Sequence, residues 1–173
     1  MTSARGQLQW GLLATSSMAG AMSHALRSTK RSVALAVASR DFARTRSVAA
    51  EEDIPRAYGS YEALLADPDI DVVYISLPNA LHGQWVVAAL EQGKHVLCEK
   101  PLVTTEADCD RVVKAEDNSG LIVTEAFMSL HHPQAAIVQS MLAGGRIGRP
   151  RFAQAWFGYT LPLSRTGDIR LST

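Results

Sequence analysis

The 173 residues carry 17 Lys plus Arg against 17 Asp plus Glu, so the chain has no formal net charge and lacks the basic footprint of a sequence-independent nucleic-acid binder. With 47% hydrophobic and 20% charged residues it is composed as a globular protein, neither disordered nor fibrous. Two cysteines, Cys98 and Cys109, describe neither a disulfide framework nor a zinc site, which points to a reducing, cytoplasmic setting.

Residues 1–7 read as a disordered tail. The uncharged stretch Gly6 to Leu26 resembles a targeting or membrane segment only superficially. Gln7, Gln9, Ser16, Ser17, Ser23 and His24 interrupt it, and its continuous apolar part, Trp10 to Ala14, is far short of the ~20 residues of a membrane span. Leu8 to Ala14 instead predicts a short buried strand, followed by the small residues Thr15-Ser16-Ser17 and a helix from Met18 to Arg27. Val33 to Ala38 is an apolar run too short for a helix, as expected of a central strand covered on both faces.

The alternation continues with helices over Asp41 to Glu51 and Tyr61 to Ala66, a strand Val72 to Ile75, a helix Ala80 to Gln92 and a strand His95 to Cys98. Helix Thr105 to Asn118, strand Leu121 to Thr124 and helix Pro133 to Ala143 complete it. Asn79 and Thr104 are placed to cap the helices that follow them, and Gly120 to close one in a left-handed turn. This rhythm implies an α/β fold with a doubly wound parallel sheet of six strands, five of them marked by the apolar runs above, because a parallel crossover requires a helix. Past the glycine-rich corner Gly144 to Pro150, Arg151 to Tyr159 reads as one long strand bearing Phe152, Trp156, Phe157 and Tyr159. Residues 8–145 are thus expected to form a dinucleotide-binding domain, and 146–173 the start of a truncated second, α+β domain.

A strand that runs through a loop of small residues into a helix can present free amide N–H groups and a positive dipole end to a pyrophosphate. Here that loop is Ala14-Thr15-Ser16-Ser17-Met18-Ala19. Against G-x-G-x-x-G/A it offers Ala14, Ser16 and Ala19, of which only the last fits outright. An ordinary turn capped by Thr15, Ser16 or Ser17 accounts for the same residues. Roughly 20 residues further on, where an acidic residue would hold the ribose 2′-hydroxyl of NAD, the chain has Ser39-Arg40. A hydroxyl and a guanidinium suit a 2′-phosphate, which favours NADP over NAD, unless Arg40 is merely solvated beside a helix cap at Asp41.

Three further segments leave strands at the same carboxyl edge, where open parallel sheets bind ligands. In Ser76 to His82, Asn79 reads as a cap and His82 faces either the cleft or a neighbouring loop. In Glu99-Lys100-Pro101 the proline restricts how Lys100 leaves its strand, and burial beside a nicotinamide cation would lower the ammonium's pKa toward one useful for proton transfer. An ion pair between Glu99 and Lys100 is the structural alternative. His131-His132 follows the last strand with no third ligand at metal spacing, so no metal is assigned.

Taken in order, Trp10 to Thr15, Ala36 to Arg40, Ala57 to Glu62, Leu77-Pro78-Asn79 with His82, Gly93 to Pro101 and Glu125 to Met128 resemble the Gfo/Idh/MocA oxidoreductases, over about residues 8 to 160. The resemblance implies a Rossmann-like fold and hydride transfer between NAD or NADP and a sugar, polyol or related alcohol. It implies that Lys100 is catalytic and helps to move the alcohol proton, that Leu77, Asn79, His82, Glu99 and Lys100 line the cofactor beside the phosphate loop, and that the Lys100-Pro101 peptide is cis. The full-length form is expected to be a homo-oligomer. Ser16 departs from the glycine or alanine usual in that loop, and Ser129-Leu130 stands where Tyr-Arg is common. Members of the family are much longer, so these residues alone are expected to be inactive. A non-catalytic dinucleotide-binding or interaction module is the competing reading.

Overall fold

The computed structural model describes residues 6–158. Six parallel strands form one sheet: β1 (Leu8–Leu13), β2 (Ser32–Ala38), β3 (Arg56–Tyr58), β4 (Val72–Ile75), β5 (His95–Cys98) and β6 (Val123–Glu125). Their spatial order is β3-β2-β1-β4-β5-β6, so the winding reverses between β1 and β4. The helices that make the crossovers are α1 (Ser17–Arg27), α2 (Phe42–Glu51), α3 (Tyr61–Leu65), α4 (His82–Glu91) and α5 (Glu106–Ser119). After the sheet come the short α6 (Met128–His131) and α7 (Pro133–Ala143). The described residues divide into two compact units between Met128 and Ser129.

Side chains alternate along the strands and fill a core on either face, except that a register shift in β2 opposite Trp10 and Gly11 turns Ala34 and Ala36 to opposite faces. Leu13, Ala36, Ala38, Val73 and Ile75 point to the face covered by α3, α4 and Val112 of α5, with Leu64, Trp85, Val86 and Ala89 packed on them. Leu12, Ala34, Val37 and Tyr74 point the other way, against Ala19 and Leu26 of α1 and Ala49 of α2. Burial on both faces explains why the strands read as continuous apolar runs. Gly11 sits where β1 meets α3: a Cβ there would lie 2.6 Å from Leu64 Cδ2 and 3.0 Å from Ile70 Cδ1.

Local chemistry fixes most helix ends. Ser16, Asp41, Ser60 and Thr105 each accept an amide N–H in the first turn of α1, α2, α3 and α5, and Gly120 closes α5 at φ 64°. Thr105, not Thr104, caps α5. Asn79 caps nothing: it opens a single 3-10 turn, Asn79–Leu81, and α4 starts at His82 without a side-chain cap. The expected strand from Arg151 is not formed, since residues 151–158 have no regular structure and no strand pairs with them among the described residues. A strand is held by its ladder, and aromatic content cannot replace one. Tyr159 and the rest of the expected second domain to Thr173 lie outside the described residues, as do residues 1–5 of the expected tail, while Gln7 Nε2 donates to Lys30 O at 3.0 Å.

Candidate functional site

The register places Leu13 beside both Ala38 and Ile75, Ile75 beside Cys98 and Cys98 beside Glu125. The residues that follow, Ala14, Ser39, Ser76, Glu99 and Ala126, therefore leave the sheet in one row along its carboxyl edge. The winding reversal between β1 and β4 opens a crevice in that row, the position where doubly wound sheets take a ligand. A cavity of about 500 Å³ lies there. Ala14, Thr15 and Ser16 line it from the β1 loop, Ser39 to Asp41 and Arg44 from beyond β2, and Ser76 to Pro78 from beyond β4, with Tyr61 alongside.

In the β1 loop, Ala14 takes φ 118° while its N–H donates to Ala38 O at 3.0 Å. That backbone conformation suits glycine, the residue this position has in G-x-G-x-x-G. Ser16 Oγ accepts the Ala19 N–H at 3.2 Å and lies 2.9 Å from Ser76 Oγ across the crevice. Ser17 and Met18 begin α1 on its exposed side, away from the lining of the cavity.

At the end of β2 the structure separates Ser39 from Arg40. Ser39 borders the cavity, but its buried hydroxyl lies 2.7 Å from Thr45 Oγ1, donates to Asp41 O at 2.9 Å and accepts the Asp41 N–H, so it braces the turn. Asp41 Oδ1 accepts the Arg44 N–H, which turns that carboxylate into the α2 cap. Arg40 is exposed at the cavity's edge. A second guanidinium, absent from the sequence-based set, joins it: Arg44 Nη2 donates to Thr15 O at 3.3 Å, tying α2 to the phosphate-loop backbone.

Beyond the cavity the same edge carries the loops after β4, β5 and β6. Leu77 is buried and Asn79 is exposed. His82 is fully buried, with Nδ1 2.7 Å from Pro101 O and Nε2 2.9 Å from Leu77 O. Its polar atoms thus link two loops and do not face the cavity. Glu99 Oε1 accepts the Tyr74 hydroxyl at 2.7 Å, and burial followed by the Glu99 contact pushes that phenol's pKa up. Glu125 Oε1 accepts the Leu102 N–H at 2.8 Å. The Lys100-Pro101 peptide is cis. Lys100 itself is exposed, not buried at the strand end, and the Glu99 carboxylate, its expected ion-pair partner, is held by Tyr74 instead. The Cys98 thiol is pushed up to about 12 by burial, with Glu99 and Glu125 adding to it, consistent with an inert core residue.

These groups fit a dinucleotide. A narrow loop at a helix N-terminus faces a crevice at the winding reversal, and two guanidinium groups stand where the adenosine ribose would lie. A further cavity, about 460 Å³ between α4 and α5, is lined by Glu91, Arg111 and Lys114 and lies away from the strand ends. Among the described residues no three His, Cys, Asp or Glu side chains cluster as metal ligands, and no helix is long and apolar enough to cross a membrane. His132 caps α7, its Nδ1 accepting the Gln134 N–H at 3.2 Å.

Fold and edge together define a doubly wound nucleotide-binding domain. Residues 11–127 match the Gfo/Idh/MocA model, described as an oxidoreductase family with an NAD-binding Rossmann fold, and the chain belongs to that family. It is 45% identical to D-xylose 1-dehydrogenase (NADP(+)) 2 of Haloferax volcanii over 80% of this chain and 42% of that protein. It is 37% identical to trans-1,2-dihydrobenzene-1,2-diol dehydrogenase of Bos taurus over 89% of this chain and 47% of the other. A crystal structure of a 3-ketoreductase from Actinomadura kijaniata, in complex with TDP-benzene and NADP, superposes with a TM-score of 0.75 at 36% identity, covering 82% of this chain and 45% of that one. The chain spans less than half the length of these relatives.

Proposed function

We propose that this chain provides the NADP site of an oxidoreductase acting on an alcohol carbon of a sugar, polyol or related small molecule. The observation that carries the reading is the pair Arg40 and Arg44 beside the cavity at the end of β2, with the neighbouring carboxylate of Asp41 engaged as a helix cap. Two guanidinium groups attract a 2′-phosphate dianion, and no free carboxylate there competes for a ribose hydroxyl. A relative named for its use of NADP(+) and a similar structure holding NADP support the same cofactor.

When bound, the nicotinamide supplies or accepts the hydride. The chain's own residues then do three things. The β1 loop and the α1 N-terminus hold the pyrophosphate, the two arginines fix the adenosine end, and Lys100, exposed at the end of β5, takes or returns the proton of the substrate hydroxyl. Equilibrium titration tests the cofactor half. NADP is expected to bind about 10- to 100-fold more tightly than NAD, and Arg40→Ala to remove most of that preference, because one charge-assisted bond contributes ~1.5–3 kcal/mol. Equal affinities, or no effect of Arg40→Ala, would refute it. In a catalytically competent form, Lys100→Ala should reduce turnover ~100- to 10,000-fold with little change in NADP affinity.

A further inference from the structure

Ser16 is one of the chain's departures from the phosphate-loop pattern, and its surroundings give that departure a role. Its hydroxyl lies 2.9 Å from Ser76 Oγ, joining the loop after β1 to the first residue after β4. The same oxygen accepts the Ala19 N–H at 3.2 Å, and Ser76 Oγ lies 3.5 Å from Leu13 O. Both serines line the cavity at the winding reversal. The bond therefore spans the gap that a pyrophosphate would enter, and an α1 amide that would face an anion already has an acceptor.

We propose that Ser16 and Ser76 form a hydroxyl latch across the crevice, which a dinucleotide must open, and that the latch sets affinity for the pyrophosphate but not for the adenosine end. This rests on the dinucleotide reading above. A ligand oxygen entering the crevice displaces Ser76 from Ser16 and competes with Ser16 for the Ala19 amide. Glycine at this position presents neither obstacle, which is why its absence of a side chain favours close backbone approach. The adenosine 2′-phosphate region, at Arg40 and Arg44, lies across the loop and involves neither hydroxyl.

The test is calorimetric titration of the 173-residue chain with NADP and with adenosine 2′-monophosphate, which carries the 2′-phosphate but no phosphate at the 5′ position that leads to the pyrophosphate. Ser76→Ala cuts the latch and keeps the α1 cap. Ser16→Gly removes both hydroxyl contacts, and glycine remains an acceptable N-cap, so the fold is retained. Exchanging a hydrogen bond of ordinary net strength changes affinity several-fold. Ser76→Ala should tighten NADP about threefold and Ser16→Gly about tenfold, with the 2′-monophosphate unchanged within about twofold. If both ligands bind the unaltered chain but the variants hold NADP equally or more weakly, the latch is overturned and the function stands. Parallel tightening of the 2′-monophosphate also overturns it. If neither ligand binds the unaltered chain or the variants, the function fails, and the latch with it.

Discussion

Replacing Ala14 by glycine is expected to stabilise the protein by about 1 kcal/mol, although the substitution deletes a partly buried methyl group from the core margin. Ala14 sits at φ 118°, and its N–H is pinned to Ala38 O at 3.0 Å, so it cannot relax without breaking the β1–β2 ladder. An L-residue held in such a region carries ~1–3 kcal/mol of strain, which glycine escapes. Against this stand the ~0.4–1 kcal/mol by which glycine enlarges the unfolded ensemble and a methyl worth less than ~0.8 kcal/mol, since the site is only partly buried. A net gain of about 1 kcal/mol corresponds to a melting temperature ~2–5 °C higher in a chain of this size. Thermal and urea unfolding followed by circular dichroism would measure it, with an unchanged urea slope showing that the compactness of both states is preserved. Ala14→Val should be destabilising, because a branched Cβ at positive φ is worse than a methyl. A neutral or less stable Ala14→Gly protein would refute the strain argument.

Gly11→Ala should lose ~1–3 kcal/mol in urea unfolding, because the added Cβ meets Leu64 Cδ2 at 2.6 Å and Leu64 is fully buried with little room to turn. The Asp67 carboxyl resists protonation: burial raises its pKa, but the Arg56 guanidinium, the Asp69 N–H and the Tyr58 hydroxyl outweigh this and hold it below its ordinary value. The folded-state pKa is thus depressed, so its stabilisation is present above the ordinary carboxylate range and is lost as pH falls through that lowered value. Asp67→Asn should flatten stability against pH below about 4, as followed by urea midpoints across an acid series. Cys98, its thiol pushed up to about 12, should resist a thiol reagent at neutral pH in the folded protein, whereas exposed Cys109 reacts, so mass spectrometry should find a single label per chain until denaturant is added.

Most of the sheet was legible because buried parallel strands concentrate apolar residues, and Val33 to Ala38 or Val72 to Ile75 could hardly be anything else. Arg56-Ala57-Tyr58 escaped notice because a three-residue edge strand, half-buried throughout, leaves no such run. At Arg151 the reverse holds: the aromatic residues suit a strand, but pairing decides, and no strand pairs with 151–158 among the described residues. Within the site, the spacing from the phosphate loop was enough to locate Arg40. Arg44 required knowing that α2 turns back over the β1 loop, although its position four residues after Arg40 was the available signal. The bonds Tyr74–Glu99 and His82–Pro101 depend on register and loop path, since Tyr74 pairs with Leu97 and so stands near Glu99. Sequence spacing carries no trace of either.

The segment around Lys100 is fastened at three points while the lysine is not. Tyr74 grips Glu99 before it, His82 holds the Pro101 carbonyl after it, and Glu125 takes the Leu102 amide. The side chain extends from this mount into solvent. For the proton transfer proposed above, ordering such a chain would cost only its own rotamer freedom, ~1.5–2 kcal/mol, with nothing added for straightening a floppy loop. The lysine is a swivel on a fixed post: in the proposed role it would sweep a short arc to meet hydroxyls at slightly different positions, while the post keeps the centre of that arc in place.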